Sequence, residues 1–163
     1  INVVEMRGNI NTRLKKLKNS NIDGIILAKA GLRRMEMDSL ITQNLSVESF
    51  VPSPGQGVLC IECLSQHSEI MSKIRKIAHL NTEICVSAER IFAAQMDGDC
   101  MSPIGAHATI QKDLISITGF VATADGARFI RNKIEGNKND YKDLSTKISN
   151  LFINMGSKGM LKC

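Results

Sequence analysis

Tryptophan is absent from the 163 residues, tyrosine occurs once and phenylalanine five times. So thin an aromatic supply offers little on which bases could stack, which argues against a nucleic-acid platform. No apolar run approaches the length that spans a bilayer, so no membrane partner is expected. The opening "INVVEMRGNI" meets an arginine too soon for a secretory leader, and it carries no initiator methionine. We therefore read the chain as part of a longer polypeptide. The five cysteines are an odd number without small-scaffold spacing. A chain long enough to bury its own core needs no staples, so reduced thiols in a cytoplasmic protein are expected. Internal repeats and low-complexity stretches are also missing.

What is present is ordinary for a globular protein: 43% hydrophobic and 23% charged residues, with a net charge of +5 from 21 basic and 16 acidic side chains. That balance favours an anionic partner. Outside "RLKKLK" the basic residues are dispersed, which again speaks against nucleic acid.

The first fifty residues alternate in period. "INVVEM" is strand-like and stops at Arg7-Gly8. "NINTRLKKLKN" sets Ile10, Leu14 and Leu17 at helical spacing behind a capping Asn9 or Asn11. "IDGIILA" is the continuous apolar run of a strand buried on both faces, and "AGLRRMEMDSLI" is a short helix. This β–α–β–α order implies part of a parallel sheet covered by helices. Pro52, Pro54, Gly55 and Gly57 then punctuate a crossing segment that leads into a strand-like "GVLCIECL". Helical patterns follow from about Ser65, with Ile70, Met71, Ile74 and Ile77 on one side, and from Thr82 to Met96, with Gly98 as the stop. Three strands, "AHATIQ", "LISITGFVAT" and "ARFIRNKIE", and a helix from Tyr141 to Met155 complete a small α+β domain with an antiparallel sheet.

Two strand-to-helix turns carry arginines. In "MRGNINTR" Gly8 permits a tight turn into a helix start, whose free N–H groups attract anions, with Arg7 and Arg13 beside it. The plain alternative is a solvated basic face continued by Lys15, Lys16 and Lys18. In "AKAGLRRM" Ala30 and Gly31 open a helix with Arg33 and Arg34 expected in its first turn, an unfavourable end for cations unless an anion binds there. Both turns fall at the carboxyl ends of parallel strands, where open α/β sheets place ligands. A ligand with several negative charges suits them. Cys60-x-x-Cys63 is a weak metal or redox signal and reads better as a pair of core thiols: residues three apart on a strand face opposite ways, and neither His67 nor His79 completes a ligand set.

"AAQMDGDCMSPIGAHA" places Cys100 in a polar loop between a helix and a proline turn. Asp97 and Asp99 would raise its thiol pKa, and His107 reads as a strand-surface residue rather than its base. Such a cysteine suits a single reaction with a very electrophilic partner.

The segments "RGNINTRL", "DGIILAKAGLRRM", "PSPGQGVLCIEC", "SAERIF" and "GDCMSPIGA" together resemble the porphobilinogen deaminase (hydroxymethylbilane synthase) family over essentially the whole chain. The resemblance implies a three-domain fold with a periplasmic-binding-protein-like parallel-sheet domain. Residues 1–53 correspond to the later half of that second domain, 54–77 to a hinge and return segment, and 78–163 to the C-terminal α+β domain. It implies a transferase of haem biosynthesis that joins four porphobilinogens head to tail, with loss of ammonia. Cys100 would carry the dipyrromethane cofactor through a thioether; Arg7, Arg13 and Arg34 would bind pyrrole carboxylates, and Ala30, Gly31 and Gln56 would line the cleft. A monomer is expected, with porphobilinogen and the growing polypyrrole as its partners and no metal. The family's catalytic aspartate would lie in a region not contained here, so the 163 residues alone are expected to be inactive. Two rival readings remain: a solute-binding module that leaves Cys100 idle, and a nucleic-acid binder.

Overall fold

The computed structural model describes residues 1–97 and 102–161. It divides into two compact units, 1–45 and 46–163.

The first unit contains two short helices, α1 (Ile10–Asn19) and α2 (Lys29–Arg34), and a 3-10 turn at Asp38–Leu40. Asn9 caps α1 by accepting the Thr12 N–H at 2.8 Å, as its position predicts. Gly31 packs under the tip of Ile10: a Cβ there would lie 2.7 Å from Ile10 Cδ1, the flexible end of that side chain. The strands expected at "INVVEM" and "IDGIILA" do not form among the described residues. Val3 and Ile26 are 88% and 65% exposed, not buried on both faces. A parallel strand exists only through neighbouring strands that satisfy its N–H and C=O groups, and no such ladder is present here. The "GVLCIECL" strand is likewise unformed, with Leu59, Ile61 and Leu64 exposed.

The second unit follows expectation more closely. Its helices are α3 (Ser68–Arg75), α4 (Leu80–Met96), α5 (Tyr141–Asn154) and α6 (Ser157–Met160), the last of which the sequence pattern missed. The strands β1 (Ile104–Gln111), β2 (Leu114–Ala122) and β3 (Phe129–Asn137) form an antiparallel sheet in the order β1-β2-β3. Ala106 faces Gly119, Ala108 faces Ile117, and Val121 faces Ile130 across the sheet. The period of two puts Ala106, Ala108, Ile115, Ile117 and Val121 on one buried face. α4 and α5 cover that face with Ala88, Phe92, Met96, Leu144, Ile148 and Phe152. Ser145 and Ser149 are buried in α5 and donate to carbonyls one turn back, at 2.7 Å each, which keeps their hydroxyls satisfied. The β1–β2 turn passes through Lys112 at φ 56°, and the β2–β3 turn through Gly126 at φ 70°. In that second turn Asp125 accepts from Thr123 Oγ1 and the Ala127 N–H, and these bonds lower its pKa.

α4 ends at Met96 as the pattern expects, with Asp97 after it in the left-handed conformation at φ 54°; Gly98, the expected stop, lies outside the described residues. β1 is an edge strand, and residues 51–55 cover part of that edge. Gly105 makes this possible: a Cβ would stand 2.9 Å from the Val51 carbonyl oxygen and 3.2 Å from that of Pro52. Backbone cannot swing aside as a side chain can. Gly105→Ala is expected to cost about 1–3 kcal/mol by overpacking. The check is the urea midpoint together with amide exchange at Ala106, whose N–H donates to the Pro52 carbonyl at 2.9 Å. Unchanged Ala106 protection would contradict this account.

Candidate functional site

In the first unit the turn before α1 gathers positive charge. Gly8 at φ +124° reverses the chain, and a Cβ there would lie 2.8 Å from Thr12 Cγ2. Arg13 Nε donates to the Gly8 carbonyl at 2.7 Å, and Lys16 Nζ donates to the Arg7 carbonyl at 3.1 Å. Arg7 is exposed and pairs with Glu5 at 2.8 Å. Among the described residues no partner takes the two Nη nitrogens of Arg13. The α1 N-terminus, Arg13 and Lys16 thus build a local anion-attracting corner. Ile10, the first residue of α1, lies against Gly31 on α2.

One electrostatic expectation reverses. α2 begins at Lys29, so Arg33 and Arg34 lie in its last turn, the end that favours cations. Their placement therefore needs no bound anion to explain it. Arg33 Nε sits 3.4 Å from Asp38 Oδ1, and Arg34 is exposed.

In the second unit, Cys100 lies outside the described residues, as do Gly98, Asp99 and Met101. The flanks of its segment are firmly held. Met96 is 1% exposed and receives the Ser157 hydroxyl at 3.5 Å, while Asp97 pairs with Lys158 at 2.5 Å. On the other side the Ala122 N–H donates to the Pro103 carbonyl at 3.0 Å. A packed helix and a paired strand therefore hold both sides of that segment.

Gln56 is exposed in a tight turn, its N–H donating to the Ser53 carbonyl at 3.1 Å, with Gly55 and Gly57 both at positive φ. The turn is tied down by a residue that the sequence reading quoted within "SAERIF" but gave no role. Glu89 is 5% exposed; its Oε2 accepts the Gly55 N–H at 2.7 Å and its Oε1 accepts the Ala108 N–H at 2.8 Å. The missed signal was an acid at core-facing helical spacing, beside Cys85, Ala88 and Phe92. His107 is indeed on the strand surface, partly exposed, with Nδ1 3.8 Å from Glu89 Oε1. The sheet's outer face carries a depression of about 430 Å³ lined by Thr109, Thr118, Arg131 and Lys133 among others.

Cys60 and Cys63 are free and stand on no strand, and Cys60 is exposed rather than the core thiol expected, because the strand that would have buried it has no partner among the described residues. Burial, reinforced by the Glu89 carboxylate, pushes the Cys85 thiol pKa up, so it is a poor nucleophile. Among the described residues no cluster of three or more histidine, cysteine, aspartate or glutamate side chains could hold a metal ion. No helix of those residues is long and apolar enough to cross a membrane.

Comparison with known proteins adds two matches in series. Residues 1–72 match the family model described as porphobilinogen deaminase, dipyromethane cofactor binding domain. Residues 83–154 match the one described as porphobilinogen deaminase, C-terminal domain. A protein of Campylobacter hominis named porphobilinogen deaminase is 40% identical, the match covering 99% of this chain and 53% of that protein. Its namesake in Pelotomaculum thermopropionicum is 36% identical, covering 99% and 52%. One from Clostridium botulinum is 40% identical, covering 91% and 50%. The chain thus spans about half the length of the curated relatives it matches.

Proposed function

This chain belongs to the porphobilinogen deaminase family, and from that premise we propose that it serves a transferase of tetrapyrrole biosynthesis. The whole protein would join four porphobilinogens head to tail into hydroxymethylbilane, releasing ammonia at each addition. The observation that carries this reading is "GDCMSPIGA" between α4 and β1, inside the second matched segment.

Cys100 would hold a dipyrromethane through a thioether, and that group, when bound, supplies the pyrrole terminus from which the product chain is extended. The donor set at the α1 corner fits a polycarboxylated pyrrole. Arg13 and the helix N-terminus present N–H donors, and Lys16 adds charge without needing a fixed angle. Arg7 would exchange its exposed Glu5 partner for a pyrrole carboxylate, an exchange that costs little because surface pairs are weak. Arg34, Ala30 and Gly31 would continue the lining on α2, and Gln56 would border the cleft from its turn. No residue described here is assigned the proton transfers at pyrrole nitrogen. Asp97, engaged by Lys158, is not offered for that task, and the 163 residues alone would not turn over.

The finer architecture belongs to the same reading. The exposed runs at 1–6, 22–28 and 58–64 would become strands once further strands pair with them, the first two in a binding-protein-like parallel sheet. The domain limits 1–53, 54–77 and 78–163 would then hold. A cytoplasmic monomer without nucleic-acid or membrane partners completes the proposal.

The test is intact mass of the protein isolated from its native source, followed by peptide mapping around Cys100. A dipyrromethane-sized addition on that peptide supports the reading. An unmodified Cys100 that also fails to take up porphobilinogen would overturn it in favour of a solute-binding module.

A further inference from the structure

We propose that Glu89 is a positioning residue, a catch that fastens the Gln56 turn to the edge of β1. The two oxygens of one buried carboxylate grip two separate segments: the Gly55 N–H at 2.7 Å, next to Gln56, and the Ala108 N–H at 2.8 Å on β1. A second tie runs parallel to the first, from the Ala106 N–H to the Pro52 carbonyl at 2.9 Å. The missing side chain at Gly105 lets the segment approach closely enough for both. Glu89 itself projects from α4, the helix that leads into the segment bearing Cys100, and β1 is the strand that follows that segment.

One side chain therefore sets three things in register: the helix before the Cys100 segment, the strand after it and the Gln56 turn. A carboxylate is a demanding choice for a site only 5% exposed, because its burial is costly unless strong donors meet it. Two backbone N–H groups from different segments meet that need. An apolar residue at this position would pack as well with the core but would hold no turn. The consequence for chemistry rests on the reading that Gln56 and Cys100 serve one substrate, whereas the catch itself rests on geometry alone.

The experiment is Glu89→Gln in the protein made in its native host. Glutamine keeps the shape but turns an NH2 group toward one of the two backbone donors. Amide exchange at Gly55 is expected to rise about 10- to 100-fold while Ile117, at the centre of β2, stays protected. The mass addition on Cys100 is expected to persist while kcat falls more than KM rises. Unchanged exchange at Gly55, or an equal rise at Ile117, overturns the catch. Should the variant not fold, a through-hydrogen-bond scalar coupling between Gly55 N and Glu89 Cδ in the unsubstituted protein decides it; absence of that coupling is fatal. If the unsubstituted protein carries nothing on Cys100, the functional reading fails, and Gly55 exchange still judges the catch by itself.

Discussion

Replacing Cys100 by serine is expected to abolish both the covalent addition and the turnover of the whole protein, while leaving its unfolding midpoint in place. A thiol can be alkylated by a strong electrophile with little help, but a serine hydroxyl needs a base to activate it. The described neighbours of the segment offer none: Asp97 is paired with Lys158, and His107 Nδ1 faces Glu89. Nor is another described cysteine placed to substitute. The Cys85 thiol is partly buried with its pKa pushed up, and Cys60 and Cys63 lie on the 58–64 stretch rather than between α4 and β1. Loss of a nucleophile from a covalent mechanism costs far more than loss of a binding contact, so turnover is expected to fall at least about 10³-fold. Intact mass gives the first reading and the rate of hydroxymethylbilane release the second. Near-normal turnover with serine at position 100 would sink the assignment of Cys100, and an addition found instead on Cys60 would relocate it.

Phe92→Ala is expected to produce the largest loss of stability. Phe92 is fully buried, and its ring meets that of Phe152 edge-on, with centroids 4.9 Å apart and planes at 85°. The same ring fills the space over Gly119, where a Cβ would lie 2.6 Å from Phe92 Cζ. Three elements, α4, β2 and α5, therefore converge on one side chain. Truncation removes the transfer free energy and leaves a cavity that the sheet cannot collapse to fill, at a cost of about 3–5 kcal/mol. The lost aromatic pair accounts for about 0.5–1.5 kcal/mol of that sum. Against a typical domain stability of about 5–15 kcal/mol, the second unit would be left marginal. Urea unfolding followed by circular dichroism measures this as a lower midpoint at unchanged slope. A shift under about 1 kcal/mol would mean that the packing around Gly119 has been misjudged.

Much of this was legible beforehand, and the failures share a cause. The second unit's strands, their turns and the helix at Tyr141 were readable because period-two alternation and positive-φ turn residues are local signals. The start of α1 was readable because Asn9 caps a helix from its own neighbourhood. By contrast, "INVVEM", "IDGIILA" and "GVLCIECL" have the composition of strands but no ladder, because pairing depends on what lies alongside. The placement of Arg33 and Arg34 failed for a smaller reason: the helix begins at Lys29 and stops at Arg34 instead of running on through "MEMDSLI", which puts both arginines in its last turn.

By itself, the order of residues determined the likeness to porphobilinogen deaminases, raised Cys100 as the candidate cysteine and set Arg7 and Arg13 beside a helix start. Motif, cap and period are all carried by residues close together in the chain. Tertiary structure alone decided that Glu89, 34 residues from Gly55 and 19 from Ala108, joins a turn, a helix and a strand. It also decided that Gly105 is a glycine because a distant carbonyl needs its space. Contacts over such separations leave no period in a sequence; they exist only once burial has brought the segments together and made an unmet N–H costly.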